Sequence, residues 1–177
     1  MQPRQILKTY SRYDPFREHQ LEVIRTIAAG SDAFVLMPTG VGKSICFQIP
    51  AIIRPGVGLV ISPLIALMQD QVESLTRRGV AAAEIHSMVP LEAQEAALER
   101  AARGEVKLLF VAPERFRNER FRRRMQAVGV GLVAVDEASE PPSGCSIDAM
   151  TNVLKEVGAE MGLSFVDNSP VFYRDGQ

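Results

Sequence analysis

Residues 37–44 read Met-Pro-Thr-Gly-Val-Gly-Lys-Ser and combine glycines, a lysine and a hydroxyl at a spacing suited to binding phosphate. Glycines let the backbone turn so that successive N–H groups point toward an anion, and a following helix adds the positive end of its dipole. Lys43 would reach the outer phosphates of a nucleotide, and Ser44 would ligate Mg²⁺. The predicted nucleotide-binding residues of this loop are Pro38, Thr39, Gly40, Val41, Gly42, Lys43 and Ser44.

The strict phosphate-loop pattern has glycine in its first position, where this chain has Met37. The surrounding sequence nevertheless supplies the context that the motif needs. An apolar run precedes the loop at residues 33–36, and an amphipathic run follows it at residues 44–53. A glycine-rich turn with an incidental lysine is the weaker interpretation of this segment.

Asp136 and Glu137 follow an apolar run, so both carboxylates would emerge at the end of a buried strand. Carboxylates in such a place are costly unless they have partners or a chemical role. Asp136 could hold Mg²⁺ opposite Ser44, and Glu137 could orient and deprotonate an attacking water. The candidate catalytic residues are therefore Lys43, Asp136 and Glu137, and a solvated acid pair at a strand end is the alternative.

Apolar runs of strand length alternate with segments of helical period along most of the chain. The predicted strands are 33–36, 58–61, 81–85, 107–111 and 131–135. The predicted helices are 17–29, 42–53, 64–77, 91–103 and 114–127. This alternation predicts an α/β fold in which a parallel sheet is covered by helices on both faces. Ligands of such folds gather at the carboxyl ends of the strands, where the polar clusters of this chain also fall.

The length and composition indicate one ordinary globular domain. The chain has 177 residues, of which 46% are hydrophobic and 23% are charged. No apolar stretch reaches the length of a membrane span and the N-terminus lacks the apolar core of a signal peptide, so we expect a cytoplasmic protein. Cys46 and Cys145 are too few and too far apart for a disulfide framework or a zinc site, and Cys46 is expected to be a buried thiol.

The net charge of −1 is unevenly distributed along the chain. Residues 1–127 contain 18 Lys and Arg against 13 Asp and Glu, whereas residues 128–177 contain 2 against 8. The positive balance of the first part is compatible with a polyanionic partner.

Taken in order, these segments resemble the first motor domain of a RecQ-type DNA helicase of superfamily 2, from about Tyr10 to Ala138. Residues 13–20, Tyr-Asp-Pro-Phe-Arg-Glu-His-Gln, are similar to the segment of that family that recognises adenine. Residues 60–71, Val-Ile-Ser-Pro-Leu-Ile-Ala-Leu-Met-Gln-Asp-Gln, are the most specific match. The family's phosphate loop resembles residues 37–44.

The resemblance implies a RecA-like P-loop NTPase domain over residues 1–139, with ATP and Mg²⁺ as cofactors. It implies that Arg17 and Gln20 contact the adenine, for which a glutamine amide offers both a donor and an acceptor. It also implies a partner, single-stranded or partly duplex DNA. The residues that it places beside that DNA are Ser62, Pro63, Ser87 and Pro113. Six arginines between 115 and 124 could line the same path, although a solvated helix face is the stronger interpretation.

The chain departs from the family after Ala138. Ser139 stands where the family has the histidine of its Asp-Glu-Ala-His motif, and residues 139–145 contain no aromatic side chain that could stack on a base. The family's second motor domain supplies an arginine finger, and loss of such a group costs about 10³–10⁵ in rate, so we expect slow turnover from this chain alone. A motor domain, a non-catalytic ATP-binding and nucleic-acid-docking module and, more weakly, another P-loop phosphotransferase all stay open.

Residues 140–177 form a divergent tail with a predicted helix at 148–161 and a predicted strand at 163–166. A helix and a strand are what an open sheet needs to cover its next edge, so the tail is expected to complete the domain. Deletion of residues 140–177 should lower the solubility and the cooperativity of thermal unfolding, measured by circular dichroism. Unchanged melting of the shortened chain would contradict this prediction.

Overall fold

The computed structural model describes Phe16 and residues 19–37, 42–136 and 171–174. The helices are α1 (Gln20–Ala28), α2 (Lys43–Ile53), α3 (Ile65–Arg77), α4 (Leu91–Ala102) and α5 (Glu119–Met125). The strands are β1 (Ala33–Leu36), β2 (Val57–Ile61), β3 (Ala82–Ile85), β4 (Leu108–Val111), β5 (Val130–Val135) and β6 (Val171–Arg174). Helices and strands alternate from α1 to β5, which confirms the predicted α/β alternation.

Four of the strands form one parallel sheet in the order β3-β4-β2-β5. The central strand β2 pairs with β4 on one side and with β5 on the other, so that Leu59 lies opposite both Leu109 and Val133. Strand β1 pairs in parallel with β6, in a two-stranded sheet. Because all described pairs are parallel, the carboxyl ends of β2, β3, β4 and β5 meet at one edge of the larger sheet.

Apolar side chains cover this sheet on both faces because successive residues of a strand point to opposite sides. On one face, Leu59 joins a buried cluster with Phe121 of α5 and side chains of α4. On the other face, Val60 joins a second buried cluster with Phe47 of α2 and Met68 of α3. The two clusters confirm that helices cover both faces of the parallel sheet.

The predicted helix at 114–127 is wrong, because this segment contains two elements. A 3₁₀ helix spans Pro113–Arg117, and α5 begins only after Asn118. The Asn118 backbone is extended, and its side chain accepts a hydrogen bond from the Phe121 N–H at 3.1 Å. An asparagine in this position caps a new helix rather than continuing an old one. Apart from α1, the other predicted elements up to residue 135 agree with the structure within one residue at each end.

Helix α1 begins at Gln20, later than the predicted start at residue 17. His19 has a left-handed backbone with φ 63°, which no residue inside a right-handed helix adopts. The predicted helix at 148–161 and the predicted strand at 163–166 lie outside the described residues. The described part of the tail is β6, which pairs with β1 in the two-stranded sheet.

No helix among the described residues combines the length and the apolar character that crossing a membrane requires.

The amino end of the sheet contains a close backbone contact at Gly131. A Cβ atom on Gly131 would lie 1.9 Å from the carbonyl oxygen of Pro55. Lys107 holds the loop that carries this oxygen, because its Nζ donates to the carbonyl oxygens of Arg54 at 2.5 Å and Gly56 at 2.9 Å. Burial also lowers the pKa of the Lys107 ammonium group. Only glycine therefore fits at position 131 without moving the loop.

We expect Gly131→Ala to destabilise the fold by about 1–3 kcal/mol, because the added methyl group overpacks a backbone contact. The measurement is the midpoint of urea unfolding. Gly129→Ala is the matched control, since a Cβ atom at that position would meet nothing within 4 Å. Equal midpoints for the two variants would show that the loop can move aside at little cost.

Candidate functional site

The amino end of α2 carries the described part of the predicted phosphate loop. Gly42 precedes the helix with a left-handed backbone of φ 88°, a conformation that glycine adopts without steric cost. Lys43 and Ser44 are the first two residues of α2, and both are half-buried. Their backbone N–H groups therefore belong to the first turn, where the helix dipole favours an anion.

Gln20, the predicted adenine contact, lies against this loop. It is the first residue of α1 and is 3% exposed. Its Nε2 donates a hydrogen bond to the Gly42 carbonyl oxygen at 3.3 Å, and α1 packs against α2. A Cβ atom on Gly42 would lie 2.9 Å from the same Nε2. The fold thus brings together two predicted groups that are 22 positions apart in the sequence.

Asp136 follows β5 directly and is buried, with 7% of its surface exposed. Its backbone N–H donates to the Ile61 carbonyl oxygen at 2.9 Å, which extends the pairing of β5 with β2 by one residue. Its side-chain Oδ2 accepts a hydrogen bond from Gln71 Nε2 at 3.0 Å. Because α2 packs against β5, Asp136 and Ser44 lie on neighbouring elements. A buried carboxylate with an oriented oxygen is a suitable ligand for a hard cation.

The residues present fit a magnesium ion that is shared with a nucleotide. Among the described residues there is no group of three His, Cys, Asp or Glu side chains that could hold a metal alone. Mg²⁺ commonly takes only one or two protein ligands and completes its shell with phosphate oxygens and water. A single buried carboxylate, Asp136, with a hydroxyl from the first turn of α2 meets that requirement.

Sequence reasoning gave no role to Gln71, which contacts Asp136, or to Gln48, which contacts Gln71. Gln48 Nε2 donates to Gln71 Oε1 at 3.1 Å. A signal for Gln71 was present, because it lies between the buried Met68 and Leu75 at helical spacing. A polar residue on the inward stripe of an amphipathic helix requires a polar partner.

The predicted DNA contacts lie at the carboxyl ends of three neighbouring strands, β2, β3 and β4. Ser62 is buried, and its Oγ accepts a hydrogen bond from the Leu64 N–H at 3.4 Å. Pro63 and Ser87 are exposed, and Pro113 is half-buried. The four residues therefore share one edge of the sheet, and two of them are open to solvent.

Buried polar groups hold the turn that carries Ser87. His86 has no exposed surface, and its Nδ1 accepts a hydrogen bond from the Met88 N–H at 3.3 Å. Gln94 Nε2 donates to the His86 carbonyl oxygen at 3.2 Å, and a Glu84 oxygen lies 3.6 Å from His86 Nε2. These contacts join the turn to β3 and α4.

The arginines of α5 are largely engaged in ion pairs. Arg120 contacts Glu95 at 2.6 Å, and Arg124 contacts Glu99 at 3.0 Å, so both join α5 to α4. Arg123 pairs with a glutamate one turn earlier in α5. Carboxylates neutralise much of this positive face, which favours the solvated helix face over a nucleic-acid path.

Cys46 is confirmed as a buried thiol. Burial raises its pKa to about 11, so the thiol stays protonated at neutral pH.

Six predicted site residues lie outside the described residues and stay predictions: Arg17, Pro38, Thr39, Gly40, Val41 and Glu137.

Comparison with known proteins identifies the family. The family model for the DEAD/DEAH box helicases matches residues 17–163, and so continues past Ala138, where the resemblance of the motifs ended. ATP-dependent DNA helicase RecQ of Haemophilus influenzae is 43% identical over 133 residues, which cover 75% of this chain and 22% of that protein. RecQ of Bacillus subtilis is 43% identical over 134 residues, which cover 75% of this chain and 23% of that protein.

A plant relative gives the same result. ATP-dependent DNA helicase Q-like 5 of Arabidopsis thaliana is 45% identical over 130 residues, which cover 71% of this chain and 14% of that protein. The aligned part of this chain thus spans between 14% and 23% of the length of these three relatives. The family match and the helix-covered parallel sheet confirm the predicted RecA-like α/β fold. By this match over residues 17–163, the chain belongs to the DEAD/DEAH box helicase family.

Proposed function

We propose that this chain is the ATP-binding motor domain of an ATP-dependent DNA helicase, which in the complete protein couples ATP hydrolysis to DNA unwinding. One observation carries the proposal. Gln20 contacts Gly42 at the start of α2, and α2 in turn packs against β5, which ends at the buried Asp136. Groups suited to a base, to phosphates and to a cation therefore lie on three elements, of which α2 contacts the other two.

In this proposal each end of the nucleotide has its own residues. Arg17 and Gln20 contact adenine, and the loop from Pro38 to Ser44 binds the phosphates through backbone N–H groups. The Lys43 ammonium group neutralises phosphate charge. Ser44 and Asp136 hold Mg²⁺, which when bound neutralises the charge that develops on the transferred phosphoryl group.

Glu137 is proposed as the general base. Glu137 comes directly after the buried Asp136 in the sequence. It would orient the attacking water and accept its proton. The geometry of Glu137 lies outside the described residues, so this role rests on its place in the Asp-Glu motif and on the position of Asp136.

DNA is proposed to bind along the edge that carries Ser62, Pro63, Ser87 and Pro113. Contacts there would reach the phosphate backbone of single-stranded or partly duplex DNA and would carry no sequence information. The exposure of Pro63 and Ser87 supports this edge over the ion-paired face of α5. The matched relatives are named as DNA helicases, which supports DNA as the polyanion. We propose the cytoplasm as the location of the protein. We propose DNA repair and recombination as its processes, because both need the strands of DNA to be separated.

A non-catalytic module that binds ATP and docks on nucleic acid is the second candidate. Ser139 favours it, because serine replaces the histidine of the family's Asp-Glu-Ala-His motif. An imidazole can donate or accept a proton between neighbouring motifs, whereas a serine hydroxyl carries no charge and has a shorter reach. Residues that bind phosphate and Mg²⁺ are the same in both candidates, and only hydrolysis separates them.

We expect Lys43→Ala to weaken binding of a fluorescent ATP analogue by about 10- to 100-fold, because it removes a charged hydrogen bond to phosphate.

Glu137→Gln should keep the affinity and lower ATP hydrolysis by about 10²–10⁴-fold, because the amide cannot accept the proton of water. Hydrolysis should be measured by phosphate release with and without single-stranded DNA.

Glu105→Gln provides the control for the glutamate substitution, because Glu105 is exposed in the loop before β4, at the amino end of the sheet and so opposite the carboxyl ends of the strands. Because turnover of this chain alone is expected to be slow, phosphate release is followed with the protein in excess over ATP, and binding without any release by the unsubstituted chain would select the second candidate. Affinity that Lys43→Ala leaves unchanged would contradict nucleotide binding at this loop.

A further inference from the structure

Gln71 uses both ends of its side-chain amide in hydrogen bonds between three elements. Its Nε2 donates to Asp136 Oδ2 at 3.0 Å, and its Oε1 accepts from Gln48 Nε2 at 3.1 Å. Gln48 belongs to α2, Gln71 to α3, and Asp136 follows β5. Both glutamines are half-buried, and Asp136 is buried.

The direction of these hydrogen bonds follows from the carboxylate. An ionised aspartate only accepts hydrogen bonds, so Gln71 must turn its NH₂ group toward Asp136. This orientation leaves the Gln71 carbonyl oxygen facing Gln48, which must then donate its own NH₂ group. The two amides are therefore ordered in sequence from the carboxylate outward, and neither can flip without breaking a hydrogen bond.

We propose that Gln71 is a positioning residue that fixes the orientation of the Asp136 carboxylate for Mg²⁺. The inference rests on the proposed function, because it assigns Asp136 to the ion. The terminal torsion of an aspartate is soft, and a hydrogen bond to Oδ2 also fixes the direction in which Oδ1 points. Gln48 acts one step further out, since its N–H holds the amide of Gln71.

The same contacts connect the two edges of the site. Helix α2 begins with Lys43 and Ser44, and α3 begins just after Ser62 and Pro63. The Gln48–Gln71–Asp136 series therefore ties the helix that follows the phosphate loop and the helix that follows the proposed DNA edge to one carboxylate. A shift of α3 relative to β5 would lengthen the Gln71–Asp136 hydrogen bond.

The test compares Gln71→Met with Gln69→Met in the full chain. Methionine has nearly the shape of glutamine and a similar helix propensity but cannot donate to Asp136. Gln69 is exposed on the same helix and serves as the matched control. The dissociation constant of a fluorescent ATP analogue is measured with Mg²⁺ and with EDTA. The value in EDTA divided by the value with Mg²⁺ reports how much the ion strengthens binding.

We expect Gln71→Met to reduce this ratio by about tenfold, with the affinity in EDTA unchanged, because partners of metal ligands tune metal affinity by about 10–100-fold. A merely structural role would weaken binding equally in both conditions, or lower only the melting temperature. Either that result or a ratio equal to that of Gln69→Met would overturn the inference.

Two further outcomes separate this inference from the proposed function. An unsubstituted chain that binds the analogue equally with Mg²⁺ and with EDTA overturns the role of Gln71 and leaves nucleotide binding intact. An unsubstituted chain that binds no analogue in either condition overturns the proposed function, and the inference falls with it.

Discussion

The central strand β2 is paired on both edges and covered on both faces, and this constraint arranges everything else. A parallel strand of this kind has no solvent-facing side, so all five of its residues are buried. The strand can then reach solvent only at its amino and carboxyl ends. Polar residues that the core cannot accept collect at the carboxyl edge, where Ser62 follows β2 and Asp136 follows β5.

The carboxyl edge of the sheet carries polar side chains whose burial in the apolar core would cost free energy. The buried Asp136 carboxylate is satisfied by an amide, and Gln20 is satisfied by a backbone carbonyl at the start of α2. In both arrangements the buried polar group has a hydrogen-bond partner within the fold, which lowers the free-energy cost of removing it from water. Packing of α1 on α2 and of α2 on β5 makes one structural unit of these groups.

Most of the α/β framework could be predicted from the sequence, because apolar runs and helical periods are strong local signals. The exception at Asn118 shows the limit: composition continues the helical pattern through this residue, whereas its side chain caps a new helix. The contact between Gln20 and Gly42 joins distant parts of the chain, so periodicity could place each residue but could not pair them. Gln71 was harder still, because its partner lies 65 positions away and glutamine has no fixed chemical role.

The choice of a neutral amide beside Asp136 is itself informative. A lysine or arginine at position 71 would also satisfy the buried carboxylate, and more strongly, because the hydrogen bond would be charge-assisted. It would also neutralise the carboxylate and compete with any cation for its oxygens. Gln71 donates to Oδ2 of Asp136 and adds no positive charge of its own beside the carboxylate. The hydrogen bond is weaker than an ion pair would be, and under the proposed function it does not bring a competing cation to the carboxylate that would hold Mg²⁺.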